Sequence, residues 1–304
     1  MNSSWMRWVV FGVVATSMAG SACLAQDAKV EEKKTNVIVK AKTPIVLDGK
    51  LDEADWQRAT VVPVNYVYAN KPGALSAEPR MNVRYLWDDG YLYIGYEVFD
   101  TNLVAKASGA TKGPVGNQRP GCEIWDPENK LPVDVVEFFV IADDKSLFWE
   151  LHHNAANQFN DLLVMAGLPA WQKSMPAFAA PFGIYWAKNE FLQDEKDRKF
   201  ACAVALKPRK DGQPSTVNDS TDEDIGYTAE LRLPWFGLGA PASAQGKEAG
   251  KQWKMGSREI AIMAVSQNGD LKDRYHSSSP DVTSKKPFFH VQADQFPRYT
   301  ITAE

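Results

Sequence analysis

Along most of the chain apolar and polar residues alternate one by one, the period of a strand with one buried face. The clearest case is VRYLWDDGYLYIGYEVFD, residues 83–100, where two alternating runs flank Asp88, Asp89 and Gly90; such a pair predicts a hairpin. In its second run Leu92, Ile94, Tyr96 and Val98 share one face, the core face, and Tyr93, Gly95 and Glu97 share the other. Further strands are predicted at DVVEFFVIA, SLFWELHHN, QFNDLLVM, FGIYWA, FACAVAL, YTAELRLPW, REIAIMAVS and PRYTIT. Helix is scarce. DEADWQRA is the best candidate, with Asp52 as its cap and Asp55 in an acidic first turn, and PWFGLG predicts a single turn. Many short strands with little helix predict an all-β, antiparallel, jelly-roll-like β-sandwich with short helices and long loops. The two longest loops are AKASGATKGPVGNQRPGCEIWDPENKLP and KPRKDGQPSTVNDSTDED.

The beginning of the chain follows other rules. Residues 1–25 hold Arg7, an apolar run from Trp8 to Met18 and then small residues, which predicts a signal peptide cut after Ala25. A competing reading cuts before Cys23 and lipidates it. Residues 26–36 read as a polar linker, and 37–304 as one domain without internal repeat. No later segment approaches the ~20 apolar residues of a membrane span. Losing Arg7 with the leader moves the formal charge from −4 to −5, a mild value that argues against nucleic acid as a partner. Export would place the chain in the periplasm, at the cell surface or outside the cell. There Cys122 and Cys202 are free to form a disulfide or to remain two buried thiols, and both readings stay open.

FWELHHNAANQFND, residues 148–161, concentrates the candidate chemistry. On a strand Glu150, His152 and Asn154 face one way, and Trp149, Leu151 and His153 face the other. The adjacent histidines therefore cannot easily chelate one ion, and further His or Cys ligands for zinc are remote in sequence. Arg84, Glu97, Glu137, Glu150, His152, Glu230 and Arg232 all interrupt apolar runs. On a shared sheet face they would offer the paired donors and acceptors that sugar hydroxyls need, or form a structural ion network. Trp125, Phe288, Phe289 and His290 fall in loop-like segments where rings can stack on a pyranose. Trp56, Trp87, Trp149 and Trp235 read as core. Glu137 and Glu150, if placed on adjacent strands, would fall within the carboxyl separation of a glycosidase pair, but no motif marks either as catalytic.

PIVLDGKLDEADWQRA, the hairpin above, DVVEFFV, FWELHHNAANQFND and YTAELRLPW follow one another in an order that resembles the family 9 carbohydrate-binding modules, from Pro44 to Ile301. The resemblance implies a glycan-binding sandwich of the kind attached to secreted xylanases, often with structural calcium. It places Glu137 on the family's sugar-bonding acid. Glu150 and His152 fall where the family has Arg and Asn, and Trp125 falls near, but before, the first of two clamping tryptophans. The second tryptophan is missing from the late segment, where His290 and Phe296 resemble the family's ending. The expected protein is an exported saccharide receptor without chemistry of its own, working in polysaccharide catabolism beside separate glycan-degrading enzymes. A glycosidase and a purely structural or partner-binding sandwich are its rivals. The candidate ligand-binding residues are Arg84, Trp125, Glu137, Glu150, His152, Asn154, Phe289 and His290.

Overall fold

The structure is a computed structural model that describes residues 36–105, 107–108, 121–122, 125–126, 131–141, 147–165, 185–188, 200–235, 238, 258–286 and 289–302. Within these, the side chains of 107–108, 121–132, 147, 160–165, 185–188, 258 and 290 lie outside the description. The expected leader, the expected linker up to residue 35, and Phe288 lie outside it altogether.

The strands are β1 (Asn36–Lys40), β2 (Val62–Val64), β3 (Tyr66–Val67), β4 (Met81–Trp87), β5 (Tyr91–Phe99), β6 (Ala107–Ser108), β7 (Gly121–Cys122), β8 (Trp125–Asp126) and β9 (Leu131–Pro132). They continue with β10 (Val135–Ile141), β11 (Leu147–His153), β12 (Phe159–Met165), β13 (Tyr185–Lys188), β14 (Ala201–Leu206), β15 (Gly226–Pro234), β16 (Arg258–Gln267), β17 (Tyr275–Ser277) and β18 (Arg298–Ile301). One helix, α1 (Ala54–Arg58), and two 3-10 turns complete the described elements. The main path runs β13-β12-β11-β10-β16-β18-β1-β4-β5-β15-β14. It folds at β1 into two sheets whose inner faces pack together, so the all-β sandwich expected from the alternation is present.

The pairing is not wholly antiparallel. β1 runs parallel to both β18 and β4, because it is the strand that passes from one sheet to the other. Inner residues of both sheets form the main core, among them Val83, Ile94, Tyr96, Phe138, Leu151 and Ile262.

Each sheet also has an outer face, and each is covered. Segment 41–59 lies on the β4-β5-β15 sheet, where Ile45, Trp56 and Ala59 pack on Leu86 and Tyr93. Trp56 is fully buried, and its Nε1–H donates to Glu230 Oε1 at 3.0 Å. The backbone N–H groups of Asp48 and Gly49 donate to the other Glu230 oxygen, both at 3.0 Å. This carboxylate pins the covering segment to the sheet. Gly49 sits at φ 84°, with the β14 backbone where a Cβ would go. Asp52 does not cap α1 as expected: Glu53 holds the cap position without a side-chain bond. Asp55 instead turns inward and accepts from the Lys42 and Thr43 N–H groups and the Thr43 hydroxyl.

The predicted loop at 207–224 is also less solvated than its composition suggests. Asp224 is fully buried, accepting from the N–H groups of Leu103 and Thr216, which holds the loop against 101–105.

A Cβ at Gly95 would stand 2.8 Å from Leu51 and 2.9 Å from the Trp56 ring. Gly95→Ala is therefore expected to lower the unfolding free energy by about 1–3 kcal/mol through overpacking. At Gly90 the nearest atom to a built Cβ is Asp88 Oδ1 at 3.5 Å, and Gly90→Ala should change stability by less than about 0.5 kcal/mol. Urea melts of the two variants check the contrast.

Candidate functional site

β10 and β11 pair so that Glu137 lies opposite His152 and Phe139 opposite Glu150. Side chains at opposed positions share a face, so Glu137, Glu150 and His152 project together from the outer side of their sheet. A carboxylate oxygen from each glutamate and an imidazole nitrogen lie within 4.8 Å of one another. His152 Nε2–H donates to Glu150 Oε1 at 2.9 Å. The exposures of Glu137, Glu150 and His152 are 4%, 5% and 5%, which makes this a recessed cluster and not an open polar face.

The cross-strand row through Glu137 continues over Val265 and Ser277 to Tyr66. Tyr275, half-buried, pairs with Gln267 at the next outer position, and the negative charge of Glu137 adds to burial in raising its phenol to about 12. Tyr275 thus borders the cluster, and Tyr66 lies three strands along the same row. Sequence reading missed them because β3 and β17 are only two and three residues long, too short to show a period.

His153, by contrast, is fully buried on the inner face. Asn157 Oδ1 can only accept, so the Nε2–H donates to it at 2.9 Å. Nδ1 is then the acceptor of the Tyr96 hydroxyl proton. Burial holds this imidazole down at about 4. The division between the two histidines therefore stands as geometry.

Other expected site residues go elsewhere. Arg84 lies opposite Gly95, which lies opposite Glu230; alternation puts it on the outer face of the other sheet, on the far side of the core from Glu137. Glu97, Glu230 and Arg232 share that outer face with it, so the seven polar residues do not form one surface. Glu97 pairs with Lys207 at 2.6 Å, and Arg232 lies over the Tyr91 ring at 4.8 Å. Asn154 has no exposed surface: its Oδ1 accepts from the N–H groups of Ala156 and Gln158 and its Nδ2 donates to Gln158 Oε1. Its amide builds the turn after β11. Phe289 is not an exposed stacking ring. It is 4% exposed, with ring centroids 4.5 Å from Tyr68, 5.8 Å from Phe139 and 5.9 Å from Tyr275, because Val282, Phe289 and Phe296, which follow β17, cover this sheet. Trp125 lies in β8, paired with Pro132, and His290 in the 3-10 turn Phe289–Val291; both side chains lie outside the described residues. So does that of Cys122, while Cys202 is half-buried on β14.

A second polar group lies near the ends of β5 and β16. Asp134 accepts from the N–H groups of Val104 and Gly269, each at 2.7 Å. The Asn268 amide donates to Asp100, and the Asn102 amide to Asp270 at 2.6 Å. Burial pushes the carboxyls of Asp100 and Asp134 up, with the charge of Asp270 adding at Asp100 and that of Asp100 at Asp134. Asn102 Oδ1 is buried without a donor. This set is oxygen-only, as calcium prefers; the Glu137 cluster, with its imidazole, fits calcium less well.

With the geometry in place, residues 47–144 match the family described as carbohydrate family 9 binding domain-like. Over that span the chain is similar to this family. A candidate carbohydrate-binding protein from Bacteroides uniformis is 15% identical, with a TM-score of 0.52 over 88% of this chain and 97% of that one, and shares the fold. Two structures of a family 9 carbohydrate-binding module from Caldicellulosiruptor kristjanssonii also align. The cellotriose complex does so at 13% identity and TM-score 0.44 over 89% and 95% of the two chains, and the glucose complex at 12% and 0.44 over 88% and 97%. A search of curated proteins found no match. The family 9-like match covers LDGKLDEADW, which the fold explains as the Glu230-pinned cover, and the strand carrying Glu137.

The buried His153 makes stability depend on pH. Its folded value, about 4, is below the unfolded value of about 6.5. The unfolded chain therefore takes up the proton first, and stability present at pH 7 is lost as pH falls from about 6.5 to about 4. The gap in unfolding free energy between the wild type and His153→Gln should narrow by about 3 kcal/mol across that window. A gap that stays constant with pH would remove His153 from this role.

Proposed function

We propose that this protein binds a saccharide at the Glu137–Glu150–His152 cluster, with Tyr275 at its border. The single observation that carries the reading is the convergence of these three side chains on one outer sheet face. Carboxylates accept from sugar hydroxyls and an imidazole donates or accepts, and charge-assisted bonds of this kind are the strong ones. The family 9-like match over residues 47–144 supports a saccharide as the ligand class. Export, through the apolar run after Arg7, and service beside separate polysaccharide-degrading enzymes belong to the same proposal. Among the described residues no helix is long and apolar enough to cross a membrane.

A structural network is the second reading, favoured by the low exposure of the cluster and by the His152–Glu150 bond. Glu137→Gln separates the two. It should weaken saccharide binding by about 1.5–3 kcal/mol, the worth of a charged hydrogen bond, with little change in melting temperature, as read by calorimetric titration against a panel of oligosaccharides and polysaccharides. A large loss of stability with unchanged affinity would place Glu137 in a structural network. Turnover of a bound saccharide would instead assign Glu137 and Glu150 glycosidase roles.

Calcium is part of the proposal, as the family resemblance implies it, with the oxygen-bearing Asp100, Asp134, Asp270 and Asn102 as the side chains to test. Calcium in excess of its dissociation constant should raise the melting temperature, since an ion bound only by the folded state stabilises it by mass action. Asp100→Asn should reduce that increment. An unchanged increment would locate the ion elsewhere.

A further inference from the structure

We propose that Glu137, Glu150 and His152 form a site for a divalent first-row transition metal of the zinc class, occupied whether or not a saccharide is present. The inference goes beyond saccharide binding. Ligand atoms within 4.8 Å of one another need only small side-chain rotations to reach the about 2.0–2.2 Å bonds of a zinc ion.

The backbone already arranges them. Glu137 and His152 occupy directly opposed positions on β10 and β11, and Glu150 lies two residues before His152 on the same face. Paired strands hold all three Cα positions, so little order is left to impose on binding. Beside the cluster, Phe139, Phe148, Met263 and Val265 form a dry apolar patch, whose low dielectric strengthens the attraction between carboxylate and cation.

The donor set selects the class of ion. Calcium and magnesium take oxygen, whereas one imidazole nitrogen with carboxylate oxygens suits zinc, manganese and iron, and zinc binds a given site of this kind more tightly than manganese or iron(II). The Nε2–H of His152 donates to Glu150; a metal takes the place of that proton. Three protein ligands leave the fourth position open to water or to an oxygen of a bound ligand. His153 takes no part, since its ring lies on the inner face with both nitrogens engaged. The adjacent histidines are therefore no chelating pair, and the ligands that join His152 come from its own strand and the neighbouring one.

The test titrates the full chain, without a polyhistidine tag and with calcium in excess, with zinc chloride by calorimetry and with cobalt(II) by visible absorption. One equivalent of zinc is expected. Glu150→Gln and His152→Gln should each weaken it by at least the about 10- to 100-fold that loss of a supporting partner costs a metal site, and the cobalt bands should vanish in both. Zinc affinity equal in the wild type and both variants, or no binding to the wild type, overturns the proposal. Melting curves with chelator confirm that the variants fold, and Glu137→Gln replaces one that does not. An intense near-ultraviolet cobalt–thiolate band would also overturn it, by assigning the metal to a cysteine. Zinc binding without saccharide binding would leave this site standing and sink the saccharide reading; the converse would do the opposite.

Discussion

The register of β10 against β11 is the constraint on which the site depends. Glu137 stands opposite His152, and in a strand a slip of one residue moves every side chain to the other face. Such a slip of either strand would turn its own glutamate into the core and expose the apolar positions beside it, Phe138 on β10 or Leu151 on β11. Burying an unpaired carboxylate costs several kcal/mol, so the core itself enforces the pairing that assembles the polar cluster. His153 adds a second lock: its two hydrogen bonds, to Tyr96 and Asn157, can be made only on the inner face.

The two covered outer faces explain why the polar residues part company. On the β4-β5-β15 sheet, Glu230 serves as an anchor for the backbone of 48–49 and the Trp56 indole. On the other sheet, the segment that follows β17 lays Phe289 and Phe296 over Phe139. Gln292 ties that segment to itself by exchanging two bonds with the Thr283 backbone. The cluster at Glu137 lies beside this second cover. Its low exposure follows from that position, and so does the half-burial of Tyr275 beside it.

Much of this was legible in the chain. Alternation along residues 83–100 and 134–153 determined the strands, their core faces and the opposite orientations of His152 and His153, because a period of two is a property of local backbone geometry. The motif order from Pro44 to Ile301 pointed to a family 9-like sandwich, and LDGKLDEADW was visible as a unit before its role as a cover was known. Glu137, Glu150 and His152 stood out as polar intrusions in apolar runs, and the structure brings those three together.

What the chain alone did not determine depends on contacts between segments distant in sequence. Alternation says that Arg84 and Glu137 each leave the core face, but not which sheet each strand joins, so only the fold around β1 separates them. Phe289 has the composition of a loop residue, yet burying its ring against Tyr68 and Phe139 removes apolar area from water, and that gain exists only once the late segment meets β10. Asn154 looked available because its turn bonds depend on the backbone of Ala156 and Gln158 closing back on it. Period and motif set the strands and the candidate polar set. Which of those side chains meet, and how deeply they are recessed, was decided by the packing of covers onto sheets, a choice made by long-range burial that no local pattern records.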